Sequence, residues 1–218
     1  MMGVRAARSS LPDIRRERLD PAPEIAMLTE LLALHEIFRL NTGLLRNALA
    51  GVDDASARRK LHPDINPVAF LVIHLLDARF SMARMIGAPA ENPHQAAWDA
   101  ASSFDALPGV PPLEELLALW LRVSTALAER WPRMTAADLA APAPHPFPVA
   151  DPSRLGGLAF LLQHESYHLG QLGLLRRILG LPAMIWTADI PGTSDSRSSR
   201  RSTSTSSASS SRTRAALR

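Results

Sequence analysis

Residues 151–182 read DPSRLGGLAFLLQHESYHLGQLGLLRRILGLP. Asp151-Pro152 opens this run as a cap followed by a proline suited to a first helical turn, and Gly180 with Pro182 closes it. Between these ends Leu161, His164, His168, Leu172, Leu175 and Leu179 recur at three- and four-residue spacing. The spacing predicts one long helix with a face turned to a bundle interior. His164 and His168 stand one turn apart on that face, since an α-helix turns once every ~3.6 residues. One helix can then offer two nitrogens to a single metal ion. A lone histidine on an apolar face is ordinarily a hydrogen-bonded core residue. Two side by side compete for partners and repel if protonated, which favours a ligand role.

Working outward, three more apolar helical stretches precede this one. Residues 24–50 place Ile25, Leu28, Leu31, Leu32, His35, Phe38, Leu45 and Leu49 on one broad face and end at Gly51. A second stretch opens at Asn66-Pro67 and closes at Gly87. A third starts near Pro112, carries Glu114 and Glu115 in its first turn and ends at Pro132. No period-2 strand is visible. The long connection 88–111, with a weak helical patch at 96–104, permits a crossover, so simple up-down order does not follow. The expected fold is all-α: a four-helix bundle over residues 23–191 between disordered tails. Residues 1–22 are polar, arginine-rich and broken by prolines. Residues 192–218 are Ser, Thr and Arg with hardly a large apolar group, too little to offset the entropy of ordering.

A chain of 218 residues with 46% apolar content is long enough for one domain with a real core. It has no cysteine, which excludes disulfides, thiolate metal sites and cysteine nucleophiles and leaves His, Asp and Glu as metal donors. The formal charge of +3 hides an asymmetry. Six arginines and Asp195 give residues 192–218 a charge of +5, which leaves −2 on residues 1–191. The body therefore lacks a nucleic-acid footprint, and the tail lacks the aromatics that stack on bases. No run approaches the ~18 apolar residues of a membrane span, and the N-terminus has no apolar core of a signal peptide. A cytoplasmic protein without a membrane partner is expected.

A third imidazole is available mid-helix at His74, with Phe70, Leu71 and Ala78 one turn away. Asp77 either orients it or pairs with a surface arginine. Three neutral imidazoles from two helices leave coordination positions open, as a reactive site requires. His35 reads as a core or pocket-lining histidine outside the ligand set, and His62, His94 and His145 as solvated residues of proline-rich connections. His164-Glu165-x-x-His168 also satisfies HExxH, the metallopeptidase pattern. The longer form fails at Gln171 and Leu174, no histidine follows His168, and no strand is present to pair with a peptide. Glu165 lies ~100° round the helix from His164. It reaches a metal-bound water, solvent or a neighbouring helix.

The run His-Glu-Ser-Tyr-His-x-Gly-Gln at 164–171, the Leu/Phe-rich turn at 158–163 and the upstream Asn-Pro-x6-His-Leu-x-Asp at 66–77 resemble the DinB/YfiT-like superfamily. These are small four-helix proteins regarded as metalloenzymes, and the likeness covers residues 24–190. The resemblance implies a divalent metal held by His74, His164 and His168, zinc or nickel foremost, with iron or manganese as alternatives. It also implies a small-molecule substrate and a low-molecular-weight thiol, since relatives include transferases and isomerases that use bacillithiol, mycothiol or glutathione. The expected function is a metal-dependent enzyme of that type or of hydrolase type, in which a three-histidine metal activates a thiol or water. No catalytic residue is assigned. Gln171, Tyr167, Glu165 and Asp77 are candidates for supporting the ligands or handling protons. Gly170 and Gly173 admit close approach of a helix or a substrate. The alternative is a non-catalytic bundle whose histidines pack or hold a structural metal. Homodimerisation is expected of such bundles, although no heptad seam marks an interface.

Overall fold

Four long helices carry the fold among the described residues, with three short ones in their connections: α1 (Thr29–Leu49), α2 (Asp54–Arg58), α3 (Val68–Ile86), α4 (Gln95–Ala100), α5 (Leu113–Arg130), α6 (Ala136–Ala140) and α7 (Arg154–Ile178). The structure is a computed structural model, and its described residues are 27–185 without Ser102. The tails expected at 1–22 and 192–218 lie outside them. No strand forms among the described residues, only isolated bridges at His62–Ile65 and Pro142–Ser153.

Helix ends follow local chemistry, shifted by a residue or two from the expected positions. α7 is capped by Ser153, whose side chain accepts from the Gly156 amide, while the Asp151 carboxylate accepts from the Ser153 amide at 2.9 Å. The cap is thus Ser153 rather than Asp151. Gly156 is required here, because a Cβ at that position would stand 2.1 Å from the Asp151 carbonyl oxygen. Before α3 the extended Pro67, not Asn66, is the last residue outside the helix. Gly87 ends α3 at φ 71°, a left-handed conformation that glycine adopts without penalty.

Each long helix packs on two others. α1 lies on α7, α7 on α3, α3 on α5, and α5 closes back on α1. The connections α1–α3 and α5–α7 therefore cross the bundle diagonally, whereas the long 88–111 connection joins neighbours. The core is filled by Leu31, Leu45, Leu75, Phe80, Trp120 and Trp131, all fully buried. Each such side chain contributes about 1.5–3 kcal/mol of burial. Leu32, placed by its spacing on the core face, is instead 51% exposed. It lies one residue round from Leu31, which takes the buried position. At the far end of α7 the buried Arg176 donates to the carbonyls of Ala48, Ala50 and Pro182, fastening the helix to the end of α1.

The buried stripe of α7 runs through Leu158, Leu161, Leu162, Glu165, Leu169, Leu172 and Leu175. Its centre is Glu165, and the two histidines sit on its shoulder, half-buried beside α3. They do not point into the bundle interior as the spacing alone suggested.

Candidate metal centre

His74 comes from the middle of α3, and His164 and His168 come from successive turns of the adjacent α7. Their rings meet nearly edge to face, with centroids 4.4–4.8 Å apart. The Nε2 atoms converge: His164 Nε2 is 2.9 Å from His74 Nε2 and 3.1 Å from His168 Nε2. Nitrogen ligands of one tetrahedral ion at ~2.0–2.1 Å stand about 3.3 Å from each other, close to these separations. These three residues form the group of histidines or acids spaced to hold a metal ion among the described residues.

The protonation chemistry agrees with a ligand role. Burial, then the neighbouring His168 and His74, push the His164 imidazole down to about 4. Burial and then His168 also lower His74, against a raising effect of the Asp77 charge. Both rings are neutral near pH 7, with a lone pair to give. His168 Nδ1–H donates to Gln171 Oε1 at 2.6 Å, which fixes the tautomer and frees Nε2 as an acceptor. The three Nε2 atoms cannot satisfy one another at one point, because His164 Nε2 faces both of the others and holds at most one proton to share between them. A cation among the Nε2 atoms resolves the contact, so the donor set fits a divalent metal. His164 Nδ1 is buried without a hydrogen-bond partner.

Other candidates take different places. Glu165 turns away from the histidines and is fully buried. Arg79 grips it bidentately, Nε to Oε1 at 2.7 Å and Nη2 to Oε2 at 2.6 Å. Its carboxylate is therefore committed to a neighbouring helix, the third of the expected options, and unlike a peptidase glutamate it has no free oxygen for a water. Arg79 also donates to the hydroxyls of Thr42 and Ser124 at 2.8 and 2.7 Å, and its guanidinium lies 3.5 Å from the Trp120 ring centre. One arginine thus ties all four long helices together directly beneath the histidines. Sequence reasoning missed it, although Arg79 is the only cation in the first thirteen residues of an apolar helix and Glu165 the only acid on the core stripe of α7.

Asp77 accepts from Gln95 Nε2 at 3.0 Å instead of pairing with an arginine. Tyr167 is 57% exposed and meets the His168 ring edge-on. Gly170 has open space around it, with no neighbouring helix among the described residues packed on it, and Gly173 is approached closely by Met184 from the segment after α7 rather than by another helix. His35 rests against Phe38 and Trp131, away from the triad, and burial lowers its pKa. His62 and His145 are exposed as expected. His94 is not simply solvated, since it bonds Glu115 at 2.8 Å and stacks on Trp98.

Beside His74 a cavity of about 190 Å³ opens between α3 and the segment containing Trp98 and Phe104. No helix among the described residues is long and apolar enough to cross a membrane.

No curated protein matches the chain significantly. Among solved structures it is similar to YfiT from Bacillus subtilis, described as a probable metal-dependent hydrolase with an unusual four-helix bundle topology. The TM-score is 0.45 and the identity 17%, over 75% of this chain and 95% of that one. The family model of the DinB superfamily matches residues 37–172. That span exceeds half of the sequence and includes α3 and the part of α7 that carries His164 and His168, and on this ground the chain belongs to the DinB superfamily.

Proposed function

We propose that His74, His164 and His168 hold one divalent metal ion, zinc or nickel foremost, and that the protein is a metal-dependent enzyme acting on a small molecule. The observation that carries this reading is the convergence of three Nε2 atoms from two helices, with Gln171 holding the His168 ring. A bound ion of this kind acts as a Lewis acid that brings the pKa of water or a thiol toward neutrality. Hydrolysis and thiol-dependent transfer or isomerisation are the corresponding reaction types.

The chain's own residues prepare the site. Partial burial keeps His74 and His164 unprotonated near pH 7. Gln171 fixes which His168 nitrogen faces inward. The Arg79–Glu165 pair holds α7 against α3 at the level of the histidines, so that ligands from two helices keep their register. Three ligands without a fourth His or acid in the group favour an open, reactive site over a closed structural one.

Metal analysis of protein purified without an affinity tag, comparing wild type with His74→Ala and His168→Ala, tests the reading. About one ion per chain, lost in both variants, supports it. Thiol and ester substrates are then screened with the loaded protein. Absence of metal in the wild type sinks the proposal, and bound metal with no turnover of any substrate class favours a structural ion.

A further inference from the structure

The cavity beside His74 has a lining that selects by charge. Its walls include Phe70, His74 and Asp77 from α3, and Trp98, Asp99 and Phe104 from the connection that follows. An aromatic series leads from it to the histidines. Phe104 meets Phe70 edge-on at 6.2 Å, Phe70 stacks on His74 within 10° of parallel, and His74 meets both α7 histidines. Trp98 is held in place by stacking on His94, which Glu115 in turn holds.

One amide gathers the two carboxylates. Gln95 Nε2 donates to Asp77 Oδ1 at 3.0 Å and to Asp99 Oδ1 at 2.8 Å. Oδ2 of each acid has no hydrogen bond among the described residues. No lysine or arginine lines the cavity. Nearby cations stand outside the lining: Lys60 pairs with Asp105, and Arg84 donates to the oxygen of the same Gln95 side chain, behind the amide that meets the two acids. An anion entering here meets two carboxylates with no cation among the lining residues. A cation meets the same carboxylates together with aromatic rings, whose negative faces attract it.

We propose that this cavity binds the substrate through a protonated amine borne on a flat apolar group, so that the enzyme acts on an aromatic or unsaturated amine rather than on a carboxylate. The proposal rests on the metal-enzyme reading only for placing the reacting end of the substrate beside His74. A carboxylate-bearing thiol has to approach the histidines from outside this cavity.

The test is a titration of metal-free and zinc-loaded protein with benzylammonium, benzyl alcohol and benzoate, followed by calorimetry and by the Trp98 indole resonance. Benzylammonium is expected to bind about tenfold tighter than the alcohol, with benzoate weakest. Asp77→Asn and Asp99→Asn should bring ammonium and alcohol within about threefold of each other, and Trp98→Ala should weaken both. Asp99 is exposed, so its variant keeps the experiment readable if Asp77→Asn does not fold. Equal or tighter benzoate binding overturns the proposal. So does an ammonium preference that survives both variants, or failure of every probe to bind. Zinc content measured on the same samples separates the two readings. Protein that keeps the preference but takes no zinc defeats only the metal centre. Protein that takes zinc but shows no preference defeats only the amine pocket.

Discussion

Replacing Arg79 with methionine isolates the charge that holds the bundle together beneath the histidines. Methionine keeps the apolar stem between Phe38 and Trp120 but removes the guanidinium and its four hydrogen bonds. The Thr42 and Ser124 hydroxyls lose little, since they still donate to the Phe38 and Trp120 carbonyls. Glu165 loses nearly everything. Its remaining contact is the Asn41 amide at 3.4 Å, which is shared with Leu162 O and Ser166 Oγ. A carboxylate left unpaired in a core costs about 3–5 kcal/mol, a large part of the ~5–15 kcal/mol that stabilises a domain. For a chain of this size that corresponds to a melting temperature lower by roughly 10 °C. The double variant Arg79→Met/Glu165→Met removes both charges, and should recover at least half of the loss, because apolar replacement of a whole buried pair is often close to neutral. Urea unfolding followed by circular dichroism, on wild type, both single variants and the double variant, measures the coupling. A single-variant loss below about 1 kcal/mol, or a double variant showing the sum of the two single losses, would refute the assignment of Glu165 as a partner of Arg79.

Gln171→Ala should weaken metal affinity by about 10–100-fold while the metal-free protein changes stability by less than ~1 kcal/mol, as read by competition with a chelator. The metal-free protein should lose stability as pH falls from 6.5 toward about 4. His164 in the folded chain is depressed to about 4 and His74 is lowered too, so only the unfolded chain takes up their protons across that window. Their contribution is complete above 6.5, and a melting temperature that rises on acidification in that range contradicts it. Gly156→Ala should destabilise by about 1–3 kcal/mol through the clash with the Asp151 carbonyl, whereas Gly170→Ala, in open space on the same helix, should stabilise by about 0.5–1 kcal/mol. Thermal melts of the two variants settle both signs.

Much of the fold was legible because local rules act locally. The apolar period of α7, Gly87 at a left-handed position and Pro132 after α5 each mark a helix by its own backbone chemistry. The histidine pair was legible for the same reason, since i and i+4 meet on any helix. That His74 completes the cluster rests on α3 lying against α7, which periodicity does not reveal and which the resemblance supplied. The path of the chain was less accessible. The 88–111 connection is long yet joins neighbours, while the diagonal crossings belong to the other two connections, and only packing decides between these. The role of Glu165 was hidden by its motif. Within HExxH it reads as a base, and its burial against Arg79 depends on a residue 86 positions away. The cavity beside His74 was invisible because the wall that faces Phe70 and Asp77 of α3, with Trp98, Asp99 and Phe104, comes from a connection with little periodic signal.

The central claim is that three imidazoles from α3 and α7 hold one divalent ion. X-ray absorption of the zinc-loaded protein tests it most directly, by counting ligand type around the metal. Three imidazole nitrogens at ~2.0–2.1 Å with at least one exchangeable oxygen ligand from water are expected, and a reduced imidazole count in His74→Ala. A zinc environment dominated by carboxylate oxygen, or one unchanged in His74→Ala, would contradict it.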